Sequence, residues 1–172
     1  EANRGDDRFY AYSLVRPLSA EVLADAIADV TAVPGRYGDL PVGTRAVSLD
    51  DPSLPSESLE ILGRCPRDAS CNGIGDQGGG LPEMLHRLNG PLINRSLDDP
   101  DGRLARLRSE GHDAWPIIEE FYLRALGRPP SAPEQSFWQA QLRDAADEVE
   151  RGAILEDVVW GLINGREFRT NH

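Results

Sequence analysis

The stretch Ile117-Ile118-Glu119-Glu120-Phe121-Tyr122-Leu123-Arg124-Ala125-Leu126-Gly127-Arg128-Pro129-Pro130 decides the fold. Its apolar residues Ile117, Ile118, Phe121, Tyr122, Ala125 and Leu126 recur at the spacing that lines one face of an α-helix. Gly127 and the Pro129-Pro130 pair close that helix. Directly afterwards Ser131 and Glu134 stand at capping-box spacing and open a second helix carrying Phe137, Trp138, Leu142, Ala145 and Val149. A third stripe, Ile154, Leu155, Val158, Val159, Leu162 and Ile163, ends near Gly165. A three-helix segment over 113–165 with short connections reads as an antiparallel bundle, so the fold class is mainly α.

Working outward, Leu81, Met84, Leu85 and Leu88 form one helical face, and Gly90-Pro91 starts another short helix through Leu92 and Ile93. Asp99 or Asp101 caps a turn bearing Leu104 and Leu107. Nearer the start, Val22, Leu23, Ala26, Ile27 and Val30 share a face between Ser19, a helix N-cap, and the Pro34-Gly35 stop. Phe9, Tyr10, Leu14 and Val15 suggest a shorter helix halted by Pro17. Residues 34–80 differ in kind: glycines and prolines are scattered among short apolar pairs, which predicts a long ordered loop region with one helical turn at Glu57 to Leu62. No alternating segment is long enough to build a sheet, and Arg45 to Leu49 is the best short strand candidate. The expectation is one helical domain over 1–172, with 34–80 as a long loop insertion.

Composition removes whole classes of chemistry. Of 172 residues, 18 are basic and all of these are arginine, against 29 Asp plus Glu, for a formal charge of −11. Without lysine there is no Schiff-base amine and no P-loop lysine. The acid excess argues against nucleic acid as a partner, because duplex binding relies on spare cations. No apolar run approaches the roughly 20 residues that span a bilayer, so membrane insertion is not expected.

Several constellations invite a functional reading. Cys65 and Cys71 lie in one short loop: an oxidising compartment closes them into a disulfide, a reducing one leaves free thiols, and zinc would need further ligands, with His86 the one candidate. Asp98, Asp99 and Asp101 before Gly102 are a weak metal candidate. With Gly102 at the sixth position of a calcium loop, the twelfth would be Arg108 where a bidentate carboxylate is needed, so helix capping is the better account. Gly73 to Gly80 mimics a phosphate cradle but has no preceding strand, and Asp76 repels. Glu119 and Glu120 are adjacent on a helix, point about 100° apart, and belong to a solvated face. His86 is the catalytic candidate, with no Gly-x-Ser-x-Gly nucleophile to serve. Arg16, Arg64, Arg87, Arg124 and Arg128 sit beside apolar residues, and a guanidinium suits bidentate pairing. They are expected to form structural ion pairs tying the loop to the bundle, with Glu21, Asp25, Glu119 or Glu120 as partners.

Five segments occur in an order that resembles a known family. They are Leu14 to Ile27 (LVRPLSAEVLADAI), Leu40 to Val47 (LPVGTRAV), Leu62-Gly63-Arg64, Met84 to Gly90 (MLHRLNG), and Phe121 to Pro130 (FYLRALGRPP) together with the ending Asp157 to His172. The chain resembles the C-terminal domain of unknown function of the large planctomycete-type cytochrome c proteins over nearly all its length. In place of that family's Cys-x-Cys-Glu-Arg type motif it has Gly63-Arg64-Cys65-Pro66-Arg67-Asp68-Ala69-Ser70-Cys71. The resemblance implies an exported, extracytoplasmic protein with a haem c domain upstream and a link to polysaccharide utilisation. No haem attaches covalently here, because Cys-x-x-Cys-His is absent. It implies a non-catalytic interaction or scaffolding role toward the upstream domains, another exported protein or a glycan. The alternative is a hydrolase or glycan-binding module using the 34–80 loop and His86. A binding module would show an exposed aromatic patch, with Trp115, Trp138 or Trp160 at its edge; an enzyme would show His86 converging with carboxylates.

Overall fold

The computed structural model of the chain describes residues 15–51, 54–64 and 91–171. It is mainly helical, and among the described residues there is no sheet. Among the described residues eight α-helices run in order: α1 (Ala20–Thr31), α2 (Glu57–Ile61), α3 (Pro91–Leu97), α4 (Arg103–Ser109), α5 (Ala114–Leu126), α6 (Ala132–Asp144), α7 (Glu148–Asn164) and α8 (Arg166–Arg169). No helix among the described residues is long and apolar enough to cross a membrane. The helix expected over 81–88 and that over 9–14 lie outside the described residues.

The stripe that opened the sequence reading is the centre of the core. Ile117, Ile118, Phe121 and Tyr122 of α5 are buried. Leu155, Val158, Val159, Leu162 and Ile163 of α7 pack against them, and Leu23, Ile27 and Val30 of α1 complete the cluster. α5 ends where Gly127 takes the left-handed conformation at φ 66°, a backbone that a Cβ would strain, and its N–H bonds the Leu123 carbonyl.

α6 departs from its expected part in a bundle. None of its residues is buried; Trp138 and Leu142 are only half covered against the core, and Phe137 is exposed. The third face that α5 and α7 need comes from α1, a hundred residues upstream, whose stripe is stronger. The second helix of the sequence reading also stops at Asp144, and Val149 belongs to α7. Asp147 caps α7 by accepting the Glu150 N–H, and Glu150 returns a carboxylate to the Ala146 N–H. That local pair of bonds competes with continuing α6 and wins.

At the start of α1, Ser19 caps through a bond from the Val22 N–H. Its end is set earlier than Pro34: Ala32 adopts φ 58°, while the Thr31 hydroxyl donates to the Ile27 carbonyl and accepts from the Val33 N–H. The strand candidate Arg45 to Leu49 is instead a 3-10 turn over Ala46–Ser48, because its N–H groups are consumed by the Asp25 carboxylate and by the Arg45 carbonyl. A bridge of extended backbone joins Pro17 to Thr170, flanked by a Leu18 N–H to Arg169 carbonyl bond. It holds the segment before α1 against the C-terminal segment.

A second, smaller apolar cluster positions the 33–64 segment. Tyr37, Ala46 and Leu59 pack on Ala20 and Ala24 of α1. Small alanines on that side of α1 let the loop approach closely, whereas the Leu23 and Ile27 side is spent on the main core.

Candidate functional site

One carboxylate organises the loop packed on α1. Asp25 is buried, and its oxygens accept from the Ala46 N–H at 2.7 Å, the Val47 N–H at 3.2 Å and Arg45 Nε at 3.3 Å. Arg45 extends to Asp29, one turn further along α1, with two parallel bonds of 3.1 and 2.9 Å. Asp25 was expected as an arginine partner, but Arg45 was not among the arginines singled out. The missed signal was the i,i+4 spacing of Asp25 and Asp29, which presents two carboxylates on one side of a helix.

The opposite end of α1 meets another arginine that sequence reasoning passed over. Arg103, nearly buried, donates from Nε to the Val30 carbonyl at 2.8 Å and from Nη2 to the Asp29 carbonyl at 3.1 Å, capping helix carbonyls that would otherwise lack partners. Glu120 lies 3.7 Å from Arg103 and also accepts from Arg124 Nε at 2.5 Å.

Arg128 sits where α5, α6 and α8 meet. It donates to both oxygens of Glu167 at 2.7 Å and to both of Glu134 at 2.9 and 3.1 Å, and its guanidinium lies over the Tyr122 ring. Tyr122 Oη accepts in turn from Trp138 Nε1 at 3.0 Å, pinning α6 to α5. The two glutamates, Glu167 first, hold the Arg128 guanidinium more firmly protonated. Bonds from Arg128, then from Ser131, pull the Glu134 carboxyl from its ordinary 4.5 down to about 2. A carboxylate so depressed contributes stability that is complete above pH 4.5 and is lost as pH falls toward 2. We therefore expect chemical unfolding followed from about pH 5 down to about pH 2 to show a shallower loss in Glu134→Gln than in the parent chain. Parallel curves would refute the linkage.

The remaining expected residues are placed as follows. Arg64 is nine-tenths buried, its Nη2 is 3.9 Å from Glu60, and its Nη1 has no hydrogen-bond partner among the described residues. Arg16 is exposed; its backbone N–H donates to Asn171 Oδ1 at 2.6 Å and its carbonyl accepts from the Asn171 N–H. His86, Arg87, Cys65, Cys71 and the glycine-rich run lie outside the described residues. Asp99 Oδ1 accepts from the Asp101 N–H, shaping the turn before α4, whose N-cap is Gly102 rather than either aspartate. Among the described residues no three His, Cys, Asp or Glu side chains converge on a point that a metal ion would occupy.

Two concavities stand out. A groove of about 500 Å³ between α4, the start of α5 and the start of α7 carries Arg108, His112 and Arg151. Each has an acidic neighbour: Glu156 at 3.6 Å, Glu110 at 3.2 Å and Glu148 at 2.9 Å respectively. A cleft of about 370 Å³ lies between α1, the 33–37 and 55–58 segments and α3. Its lining mixes the apolar side chains of Ala28 and Val33 with the polar ones of Arg36, Tyr37, Ser56 and Ser58. That volume is at the lower end of the roughly 300–1,000 Å³ of small-molecule sites.

The aromatic residues divide by exposure. Trp115 and Trp160 are half covered by the core. Phe137 is 54% exposed and stands edge-on to Trp138, with ring centroids 4.7 Å apart. Leu123, the residue after Tyr122 on α5, is 52% exposed. No protein-family model, curated protein or solved structure matches the chain.

Proposed function

We propose that the chain is a non-catalytic interaction or scaffolding domain of an exported, multidomain cytochrome c-type protein, which docks the upstream haem domain through α6. What carries this reading is Phe137. A phenylalanine left more than half exposed beside Trp138, on a helix that buries none of its own residues, costs solvation and does nothing for the core. Rigid aromatic side chains of this kind are the usual anchors of protein interfaces, because they bury large area with few rotors. The helix beneath is held in place by the Arg128 clamp and the Trp138 to Tyr122 bond, so the face is preorganised. On this reading haem c resides in the upstream domain, the protein is extracytoplasmic, and Cys65 and Cys71 form a local disulfide.

The test is a pull-down between this chain and the separately produced upstream haem domain of the same protein. We expect association at low and moderate salt, weakened about tenfold by Phe137→Ala, a typical interface-anchor effect. Absence of association at either salt would remove the scaffold reading.

A further inference from the structure

The cleft between α1 and α3 is built from other residues than the α6 face, and it has features a purely structural crevice does not need. Tyr37 is only 2% exposed as a whole residue, lines the cleft, and makes no side-chain hydrogen bond through its hydroxyl among the described residues. Its phenol lies along Gly35, which also lines the cleft; a Cβ at Gly35 would meet Tyr37 Oη at 2.6 Å. Glycine at this position therefore leaves room for the hydroxyl at the cleft wall. A phenol at a cleft wall with no protein partner is free to donate to whatever occupies the cleft. Burial, with Asp25 and Glu21 nearby, raises the Tyr37 pKa, so the group remains a donor.

The charges at the rim are unequal in their commitments. Arg95 faces Glu57 at 3.7 Å, and Asp99 is engaged with the Asp101 N–H. Arg36 is exposed at the rim and has no carboxylate partner among the described residues. Ser56 and Ser58 share a hydrogen bond of 3.0 Å between their hydroxyls, which leaves further donor and acceptor capacity on the same wall. Beside them the partly exposed Ala28 and Val33 offer a small apolar surface.

We propose that this cleft binds a sugar-sized hydroxylated carboxylate. Arg36 takes the carboxylate, the Tyr37, Ser56 and Ser58 hydroxyls take ring hydroxyls, and Ala28 and Val33 take the apolar face of the ring. A planar guanidinium free of other partners matches a carboxylate bidentately. The hydroxyl row distinguishes a polyol from a simple acid, since a buried donor left unpaired penalises a ligand that lacks its complement.

The experiment is calorimetric and ligand-observed NMR titration of the full chain with galacturonate, with galactose as the uncharged arm and cyclohexanecarboxylate as the hydroxyl-free arm. Galacturonate is expected to saturate with a Kd near or below about 1 mM, at least fivefold tighter than either control. Tyr37→Phe is expected to weaken it about tenfold, a loss in the range of one hydrogen bond to a charged or polar ligand. Arg36→Gln is expected to abolish the preference for galacturonate over galactose. Both variants are expected to retain the packing of the parent, which far-UV circular dichroism checks. No saturation, equal binding of the three probes, or indifference to both substitutions would each overturn the proposal. None of these results bears on the α6 pull-down, in which Tyr37→Phe and Arg36→Gln are expected to behave as the parent.

Discussion

Phe121→Ala is expected to destabilise the chain by about 3–5 kcal/mol, the range for removing a fully buried aromatic ring and leaving its cavity. Phe121 is 1% exposed at the junction of α1, α5 and α7, so no one helix can move in without losing contacts with the other two. The measurement is urea-induced unfolding monitored by circular dichroism, read as a fall in midpoint at constant slope. Phe137→Ala serves as the internal contrast: the same truncation at an exposed site is expected to change stability by no more than about 0.5 kcal/mol. A Phe121 variant losing less than about 1.5 kcal/mol would mean the core collapses around the void, against the packing described.

Asp25→Ala is expected to cost about 3 kcal/mol, with Asp25→Asn costing roughly half as much. The alanine removes the acceptor of the Ala46 and Val47 N–H groups, and the Ala46 residue is 1% exposed, so water does not replace the lost partner. Asparagine keeps one carbonyl oxygen in place but gives up the charge that favours both N–H bonds. The loss concentrates on the loop: amide exchange over 41–49 is expected to accelerate more than exchange in α5 or α7. Uniform acceleration throughout would show that Asp25 supports the whole core rather than the 3-10 turn. An alanine variant as stable as the parent would remove Asp25 from its organising role.

The particular elements show how far sequence reasoning reached. The α5 and α7 stripes were legible because each is dense, periodic and bounded by its own caps; nothing remote was needed to place them. α2 was legible at Glu57 to Leu62 for the same reason, with Ser56 accepting from the Leu59 N–H at its start. By contrast, Phe137 and Leu142 have helical spacing but do not fill the core, because spacing states which residues share a face and not whether another element covers it. The 3-10 turn at Ala46–Ser48 was read as a candidate strand, since its geometry depends on a carboxylate twenty residues away. Arginine pairing was partly legible. Arg124 and Arg128 were singled out by their neighbours, whereas Arg45 and Arg103 act on groups of α1 that lie distant in sequence. Of the candidate site, the loop around 34–58 was marked as unusual in composition. That it closes a cleft with Tyr37 at the wall came from its packing on α1.

By itself the sequence determined a mainly helical chain, with the α5 and α7 stripes as its clearest apolar faces and a chemistry from which lysine is absent. Local information sufficed for this, because helix propensity, capping and apolar period are set within a few turns. Only the tertiary structure decided that α1 rather than α6 completes the core, that Asp25 folds the loop, and that Arg36 and Tyr37 share a cleft. Those outcomes depend on which of several competing faces is buried together, a choice made by the summed packing of segments far apart along the chain and written in no single stretch of it.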